Sequence, residues 1–297
     1  MESNFRRCSI GRKIFIVCNY LLVAAIAVVT LIPIIHVIMA SFSDPKQLYV
    51  NTSILFHPLG FSLEGYQEVF QKKEVWTGYR NTIIYTICTT LLGTFLTLLG
   101  GYVLSRKGLL WGKYIMFMVT FTMIFNGGMI PTYMLISKLN WINSPMAVIV
   151  PNCVSAFNLI IMRTFFQSVP VSLEESARLD GATNMQVLFR IIIPVSMAGV
   201  SVIALFYFIA AWNSYFDAMV YLQDYSLAPL QIVIRRIIIL SSEAIGAGSG
   251  EKGNYSLMVQ SVSKYALIMI SILPMLVVYP FVQKYFAKGV MVGAVKG

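Results

Sequence analysis

The sequence predicts an all-α membrane protein with six transmembrane helices. Three observations support this fold class: 58% of the 297 residues are hydrophobic, only 11% are charged, and the mean hydropathy is +0.75. A single soluble core in a chain of 33.3 kDa cannot bury that much apolar surface, whereas a bilayer can accommodate it. The sequence therefore places the chain in a lipid membrane.

Six segments reach the length of about 20 mainly apolar residues that a transmembrane helix needs. In chain order they are Ile14 to Ala40, Asn81 to Leu104, Tyr114 to Ile136, Pro145 to Phe166, Val195 to Leu222 and Tyr265 to Phe286. A further apolar run, Leu227 to Leu240, is short and carries Arg235 and Arg236 in its middle. Because charge is costly at a bilayer centre, we expect this run to form an interfacial or re-entrant helix.

The distribution of lysine and arginine predicts the orientation. With the amino terminus inside, most of the 22 basic residues lie on the cytosolic side, as the positive-inside rule requires. Both termini, and the loop between the fourth and fifth segments, are then cytosolic. The net charge of +10 is explained by topology and by contact with anionic lipid, so nucleic acid is not an expected partner.

That cytosolic loop is a charged island, residues 174–182, between two membrane-length apolar runs. Ser172 followed by Glu175 predicts a capping box at the start of a short helix. Asp180 and Gly181 predict its end, since glycine adopts the left-handed conformation that closes many helices. A polar helix held out from the membrane in this way is suited to binding a partner.

A second helix start follows directly. Thr183 and Gln186 have the spacing of another capping box. Pro194 is then expected to open the next apolar run, because proline is well tolerated in a first helical turn. The loop is thus predicted as helix, sharp turn and helix.

The sequence contains no signature of an enzyme. The glycine-rich tract 246–253 lacks the Gly-Lys-Ser/Thr of a phosphate loop, and the two histidines are far apart. The four cysteines have no pair spacing, so neither a metal site nor a disulfide framework is expected. Any energy source must then lie on another chain.

The island carries a specific resemblance. Glu175-Ser176-Ala177, three residues, Gly181, nine residues and then Ile191-Ile192-Ile193-Pro194 resembles the cytosolic loop of permease subunits of binding-protein-dependent ABC importers, whose pattern is Glu-Ala-Ala-x3-Gly-x9-Ile-x-Leu-Pro. Ser176 replaces an alanine and Ile193 a leucine, both conservative changes. The carboxyl-terminal residues 288–297 also resemble the tail of the maltose-type, sugar-importing branch.

The resemblance implies a type I ABC importer permease fold, in the plasma membrane of a bacterium. Its expected organisation is a cytosolic amino end, first helix and outer loop (1–76), a five-helix core (77–287) with a coupling loop (167–193), and a cytosolic tail (288–297). The implied partners are an ATPase dimer that binds ATP and Mg, a second homologous permease, an extracellular or periplasmic sugar-binding protein and a sugar. Outer loops 43–76 and 223–264 are expected to contact the sugar-binding protein, and the alternative is that they are simple connections. This chain itself is expected to bind no cofactor and to catalyse no reaction.

The family's coupling role is carried over to the matching residues of the island. They are Glu174, Glu175, Ser176, Ala177, Asp180, Gly181 and Pro194. In the family this short helix sits in a groove of the ATPase, and Glu175 would meet an arginine there. The alternative is an ordinary cytosolic connector in which Glu175 only caps its own helix.

Candidate substrate residues lie in the fourth and fifth segments, where amides, hydroxyls and aromatic rings are the groups that sugars need. They are Asn152, Ser155, Asn158, Tyr207, Trp212, Asn213, Tyr215 and Asp217. The alternative is that these side chains only join helices or lie at the interface. For the whole chain, the alternatives are a self-sufficient secondary carrier or channel and an integral membrane enzyme, which lack supporting ionisable clusters.

Overall fold

The computed structural model describes residues 10–51, 53–106, 108–246 and 251–294, and the regular elements of this part of the chain are helices. The α-helices in the first half are α1 Ile10–Ser41, α2 Pro45–Val50, α3 Glu64–Gln71, α4 Lys73–Ser105, α5 Gly112–Ile124, α6 Met129–Lys138, α7 Met146–Ile149 and α8 Ala156–Gln167. Those in the second half are α9 Val171–Leu179, α10 Asn184–Val187, α11 Ile193–Val195, α12 Met197–Trp212, α13 Phe216–Tyr221, α14 Leu230–Gly246 and α15 Glu251–Ala294. Short 3-10 turns cover Val150–Asn152 and Tyr225–Leu227, and a π-helix covers Leu188–Ile192.

Several helices are long and apolar enough to cross a membrane. Three do so alone, namely Gly11–Ser41, Lys73–Ser105 and Tyr255–Pro280. Three bent pairs qualify together: Gly112–Ile124 with Met129–Lys138 (112°), Met146–Asn152 with Ala156–Gln167 (41°), and Asn184–Val195 with Met197–Trp212 (88°). The described residues thus offer three spans, or six if each pair is one span. The number of spans and their orientation stay predictions.

The chain divides into two compact units, and the first contains residues 1–72 and 237–271. Its core is formed by Ala40, Leu48, Leu55 and Val262. The ring of His36 accepts a hydrogen bond at Nδ1 from the backbone N–H of Leu55, 3.1 Å away. This histidine therefore ties α1 to the segment that follows α2, and it serves packing in this unit.

The second unit contains residues 73–236 and 272–297 and is organised around α4. Helices α8 and α12 pack along α4, and small residues on α4 allow the close approach. A Cβ atom added at Gly93 would lie 2.9 Å from the ring of Tyr207 and 3.0 Å from the carbonyl oxygen of Cys153. Both candidate sites lie in this unit, one at the end of α4 and one along its middle.

Two further sequence predictions concern the apolar run 227–240 and the carboxyl-terminal tail 288–297. The apolar run 227–240 forms most of α14, with Leu230, Val233 and Ile237 buried, and its interfacial position stays a prediction. In the predicted tail, residues 288–294 continue α15, whereas residues 295–297 lie outside the described residues.

Candidate functional site: a coupling helix and a polar cavity

The predicted coupling helix is α9, Val171–Leu179. Its N-cap residue is Pro170, and no side chain caps it. The predicted capping box of Ser172 and Glu175 is therefore wrong. The helix begins one residue before Ser172, so that this serine lies inside the first turn and cannot act as the cap.

The carboxyl end of α9 forms as predicted. Gly181 has φ +81°, and its backbone N–H donates to the carbonyl of Arg178 at 3.0 Å. The N–H of Ala182 donates to the carbonyl of Ala177 at 3.0 Å, which completes a Schellman motif. A Cβ atom at Gly181 would meet nothing within 4 Å, so the left-handed backbone alone requires glycine here.

The next helix start is confirmed. Thr183 Oγ1 accepts from the backbone N–H of Gln186, and Gln186 Oε1 accepts from the backbone N–H of Thr183 at 2.8 Å. This capping box begins α10 two residues after Gly181. The chain therefore reverses between two helices whose facing ends are both fixed by local hydrogen bonds.

Pro194 does not open the following apolar helix, and that prediction is wrong. It lies within the helical run Asn184–Val195, and α12 begins after Ser196, where the two directions differ by 88°. Proline cannot donate a backbone hydrogen bond to the preceding turn. The π-helix Leu188–Ile192 just before it widens the helical turn, as π-helices do at irregular points of a helix.

Glu174 is the buried carboxylate of α9, with 7% of its side chain exposed. It forms an ion pair with Arg106, which directly follows α4, and a second with Arg178 at 2.8 Å. The hydroxyl of Tyr102 donates to Glu174 Oε1 at 3.4 Å, and the Arg106 guanidinium lies 4.3 Å from the Tyr102 ring centroid. Burial lowers the pKa of Arg106, although a guanidinium stays charged at neutral pH. These contacts attach α9 to the end of α4.

The other predicted coupling residues divide between two faces of α9. Ala177 is buried in the core of this unit, so it packs within the chain. Glu175 and Ser176 are exposed, as are the cap residues Asp180 and Gly181. Charge alone could not separate Glu174 from Glu175, but their positions on the helix do.

Exposed apolar side chains lie at the end of α9 and in the helical segment that follows it, and the sequence reasoning missed them. Leu179 is 89% exposed, and Met185 and Phe189 are exposed nearby in the chain. The sequence signal for Leu179 was its position as an apolar residue at the end of a polar helix. Exposed large apolar side chains near a polar helix are compatible with a surface that binds a protein.

The second candidate site is a cavity of about 710 Å³ beside the middle of α4. It is lined by Tyr85, Thr89, Val148, Pro151, Asn152, Val154, Ser155, Phe157, Asn158, Phe206, Tyr207, Ile209, Ala210, Ala211 and Ser214. Four of the predicted substrate residues are in this lining, namely Asn152, Ser155, Asn158 and Tyr207. The other four, Trp212, Asn213, Tyr215 and Asp217, do not line it.

The hydrogen bonds show which polar groups remain open to the cavity. The hydroxyl of Tyr207 bonds Thr97 Oγ1 at 2.7 Å and accepts from the backbone N–H of Ser155 at 3.0 Å, so it holds the break before α8. Asn158 is 5% exposed, and its side-chain amide makes no hydrogen bond within the described part of the chain. The same holds for the Thr89 hydroxyl, which the sequence reasoning missed.

The remaining predicted residues support the cavity from one end. Asn152 Nδ2 donates to Asp217 Oδ2 at 2.7 Å and thereby connects the lining to α13. Trp212 is buried, and its carbonyl accepts from Gln231 Nε2 at 3.3 Å. The Asn213 amide donates to the carbonyl four residues before it. These groups fix the end of α12 and leave the open amide and hydroxyl to a ligand.

The lining contains aromatic rings, hydroxyls and amides but no ionised side chain. This chemistry suits the faces and hydroxyl groups of a sugar ring, which need stacking surfaces and neutral hydrogen-bonding partners. Within the described residues, no group of three or more His, Cys, Asp or Glu is placed to hold a metal ion. The two candidate sites are therefore the exposed face of α9, which is attached to the end of α4, and a neutral polar cavity beside the middle of α4.

Comparison with known proteins gives three similar findings. The sequence profile of the family described as "Binding-protein-dependent transport system inner membrane component" matches residues 93–292. The polygalacturonan/rhamnogalacturonan transport system permease protein YtcP of Bacillus subtilis is 39% identical over 96% of this chain and 99% of its own length. Protein LplC of the same organism is 36% identical over 96% of both chains.

A solved structure also has this fold. It is the crystal structure of a bacterial ABC transporter involved in the import of the acidic polysaccharide alginate. One of its chains is similar with a TM-score of 0.84 and 32% sequence identity, over 94% of this chain and 99% of that one.

Proposed function

The chain belongs to the family of binding-protein-dependent transport system inner membrane components, and we therefore propose that it is the permease subunit of an ATP-driven sugar importer. It supplies half of the translocation path for an oligosaccharide or polysaccharide fragment, and a second homologous permease supplies the other half. An external binding protein delivers the sugar. An ATPase dimer, which binds ATP and Mg, drives the cycle from the cytosolic side of a bacterial plasma membrane.

In this proposal the outward face of α9 docks into the ATPase. Glu175 offers a carboxylate to a basic group of that partner, and Leu179 supplies apolar contact beside it. The Schellman motif at Gly181 and the capping box of Thr183 fix the angle between α9 and α10. Because the end of α9 and the start of α10 are both fixed by local hydrogen bonds, the two helices move together when the partner closes.

The ion pair of Glu174 with Arg106 supplies the path from that movement to the cavity. Arg106 follows α4, and Thr89 on α4 lines the cavity. At 1.5 Å per residue, Thr89 and Ser105, the last residue of α4, are roughly 24 Å apart along one helix. A displacement of α9 is thus carried by a rigid helix to the polar groups that face the sugar. This attachment, with one carboxylate turned inward and its neighbour turned outward, is the observation on which the coupling proposal rests.

Coupling requires that nucleotide and sugar-loaded binding protein each favour a different conformation of the permease. Disruption of α9 should then reduce both the ATP hydrolysis that sugar stimulates and the transport that hydrolysis drives. In the assembled complex in proteoliposomes, we expect Gly181→Val to reduce sugar-stimulated ATP hydrolysis and uptake, because a β-branched residue is strained at φ +81°. We expect Glu175→Lys to do the same by reversing the docking charge.

Two matched variants control for general damage. Gly181→Asn should retain most of the activity, since asparagine tolerates the left-handed conformation. Glu175→Gln should have a smaller effect than Glu175→Lys, because it removes the charge without reversing it. Unchanged coupling in both Gly181→Val and Glu175→Lys would exclude α9 as the docking helix.

A further inference from the structure

Arg235, near one end of the cavity, has no carboxylate partner in the part of the chain that the structure describes. The guanidinium of Arg235, on α14, lies 5.3 Å from the centroid of the Tyr215 ring and donates to Met219 Sδ at 2.7 Å. The side chain is exposed. Among the described residues, no carboxylate lies within 4.0 Å of it.

The connections of Tyr215 place this arginine next to the cavity. Ser214, the preceding residue, belongs to the cavity lining. Asp217, two residues further on, accepts the hydrogen bond from Asn152, which also lines the cavity. Tyr215 thus directly follows a lining residue, and the Arg235 guanidinium beside its ring lies near that end of the cavity.

The neighbouring Arg236 gives a direct comparison. Its guanidinium lies 3.8 Å from a carboxylate oxygen of Glu74 and 4.4 Å from the centroid of the Tyr225 ring. Its charge is therefore balanced within the chain. Arg235 has the same chemistry and an aromatic ring beneath it, but no acidic partner in the described residues. Two adjacent arginines thus differ in whether a carboxylate site is still open.

The carboxylate of Asp217 is the acidic group closest in the chain to Tyr215. It is engaged by the Asn152 amide at 2.7 Å and forms no ion pair with Arg235 in the described residues. An incoming anion would thus meet a guanidinium that is free to bind both of its oxygens. A planar guanidinium binds a carboxylate through two parallel hydrogen bonds, which a lysine cannot reproduce.

We propose that Arg235 and Tyr215 form a subsite for the carboxylate of a uronic acid residue, so that the transported oligosaccharide is acidic. The inference rests on the proposed function, which it narrows to one substrate class. The guanidinium binds the carboxylate, and the tyrosine ring supports the guanidinium from the other side. The neutral cavity beyond takes the hydroxyl groups of the next sugar residue through Asn158 and Thr89.

The test uses the complete transporter with its binding protein in proteoliposomes and tri-galacturonate as the probe. Uptake is measured at subsaturating concentration for the wild type and for Arg235→Gln, Arg235→Lys and Arg236→Gln. We expect Arg235→Gln to lower this uptake roughly tenfold, the loss of one charge-assisted contact. Arg235→Lys should retain an intermediate rate, because it keeps the charge and loses the paired geometry. Arg236→Gln should match the wild type.

The outcomes separate this inference from the proposed function. The subsite is excluded if Arg235→Gln takes up tri-galacturonate at the wild-type rate, or if Arg236→Gln is equally impaired. It is also excluded if Arg235→Lys takes up tri-galacturonate as fast as the wild type, since the paired hydrogen bonds of a guanidinium would then not matter. A wild-type complex that imports maltotriose but not tri-galacturonate overturns the subsite and leaves the sugar-importer proposal intact. Import of neither sugar counts against both the subsite and the sugar-importer proposal. Import of tri-galacturonate that is equally fast in the wild type and in Arg235→Gln counts against the subsite alone.

Discussion

Replacing Glu174 by glutamine should detach the coupling helix from α4. The side chain of Glu174 is 7% exposed and that of Arg106 is 24% exposed, whereas that of Arg178 is 53% exposed. Removing one partner of a buried ion pair costs about 3–5 kcal/mol, because the other charge stays desolvated. Since Arg106 keeps about a quarter of its surface in solvent, we expect the lower value, about 3 kcal/mol, for Glu174→Gln. For Arg178→Gln we expect about 0–1 kcal/mol, as for other exposed pairs.

The assay is the apparent unfolding temperature of the purified complex, measured at one fixed heating rate because membrane proteins often unfold irreversibly. A loss of about 3 kcal/mol corresponds to a decrease of roughly 6–12 °C for a chain of this order of size. Arg106→Gln should give a similar decrease, because it leaves Glu174 buried without its main partner. The double variant Arg106→Met/Glu174→Leu should recover most of this loss, since apolar residues can replace a buried ion pair.

The matched variant decides the interpretation. Equal decreases for Arg178→Gln and Glu174→Gln would show that burial does not determine the contribution of each pair. Additive losses in the double variant would show that Arg106 and Glu174 are not coupled. A Glu174→Gln complex that keeps both its unfolding temperature and its sugar-stimulated ATP hydrolysis would refute the role of this pair in transmitting force.

Three further predictions concern packing and charge in the second unit. Tyr207→Phe should lower stability by about 1–3 kcal/mol in a thermal unfolding assay, because it leaves two hydrogen-bonding partners unpaired. The control Tyr215→Phe should have little effect, and a larger loss for Tyr215→Phe than for Tyr207→Phe would contradict the assigned bonds. Gly93→Ala should lower stability by about 1–3 kcal/mol, because its Cβ would lie 2.9 Å from a ring carbon of Tyr207. The control Gly127→Ala should be neutral in the same assay, since a Cβ there meets nothing within 4 Å, and equal effects of the two variants would contradict this packing. The backbone hydrogen bond from Ser226 lowers the pKa of Asp224 from 3.8. The difference in stability between the wild type and Asp224→Asn should therefore be present at pH 7 and disappear as the pH falls below 3.8. A difference that persists at lower pH would show that the charge of Asp224 is not its source.

Local signals predicted the end of α9 and the start of α10, because each depends on residues close in the chain. Gly181 closes a Schellman motif and Thr183 pairs with Gln186 in a capping box, and both patterns are visible in a few consecutive residues. The start of α9 was mispredicted because Ser172 has a capping spacing that Pro170 pre-empts by one residue. The bend at Ser196 was missed because a π-helix has no reliable local sequence signature.

Side-chain roles were less predictable than helix ends. Asn152, Ser155, Asn158 and Tyr207 were selected as polar residues in apolar segments, and all four line one cavity. Whether each is open to a ligand depends on partners far away in the chain. The Tyr207 hydroxyl is hydrogen-bonded to Thr97, 110 residues before it, so no local pattern separates Tyr207 from Asn158, whose side-chain amide is open.

The sequence by itself determined the helical class and the ends of the helices around Gly181, and it predicts a membrane setting and a coupling role for residues 174–182. Hydrophobicity, charge and short-range spacing are all local properties, so they can be read from the sequence. Only the tertiary structure decided which carboxylate of the coupling motif turns inward. Glu174 and Glu175 are adjacent and chemically alike, yet one is buried against Arg106 and the other is exposed. The difference arises because the end of α4 packs against one face of α9. This contact joins residues about 70 positions apart, so no local sequence pattern predicts it.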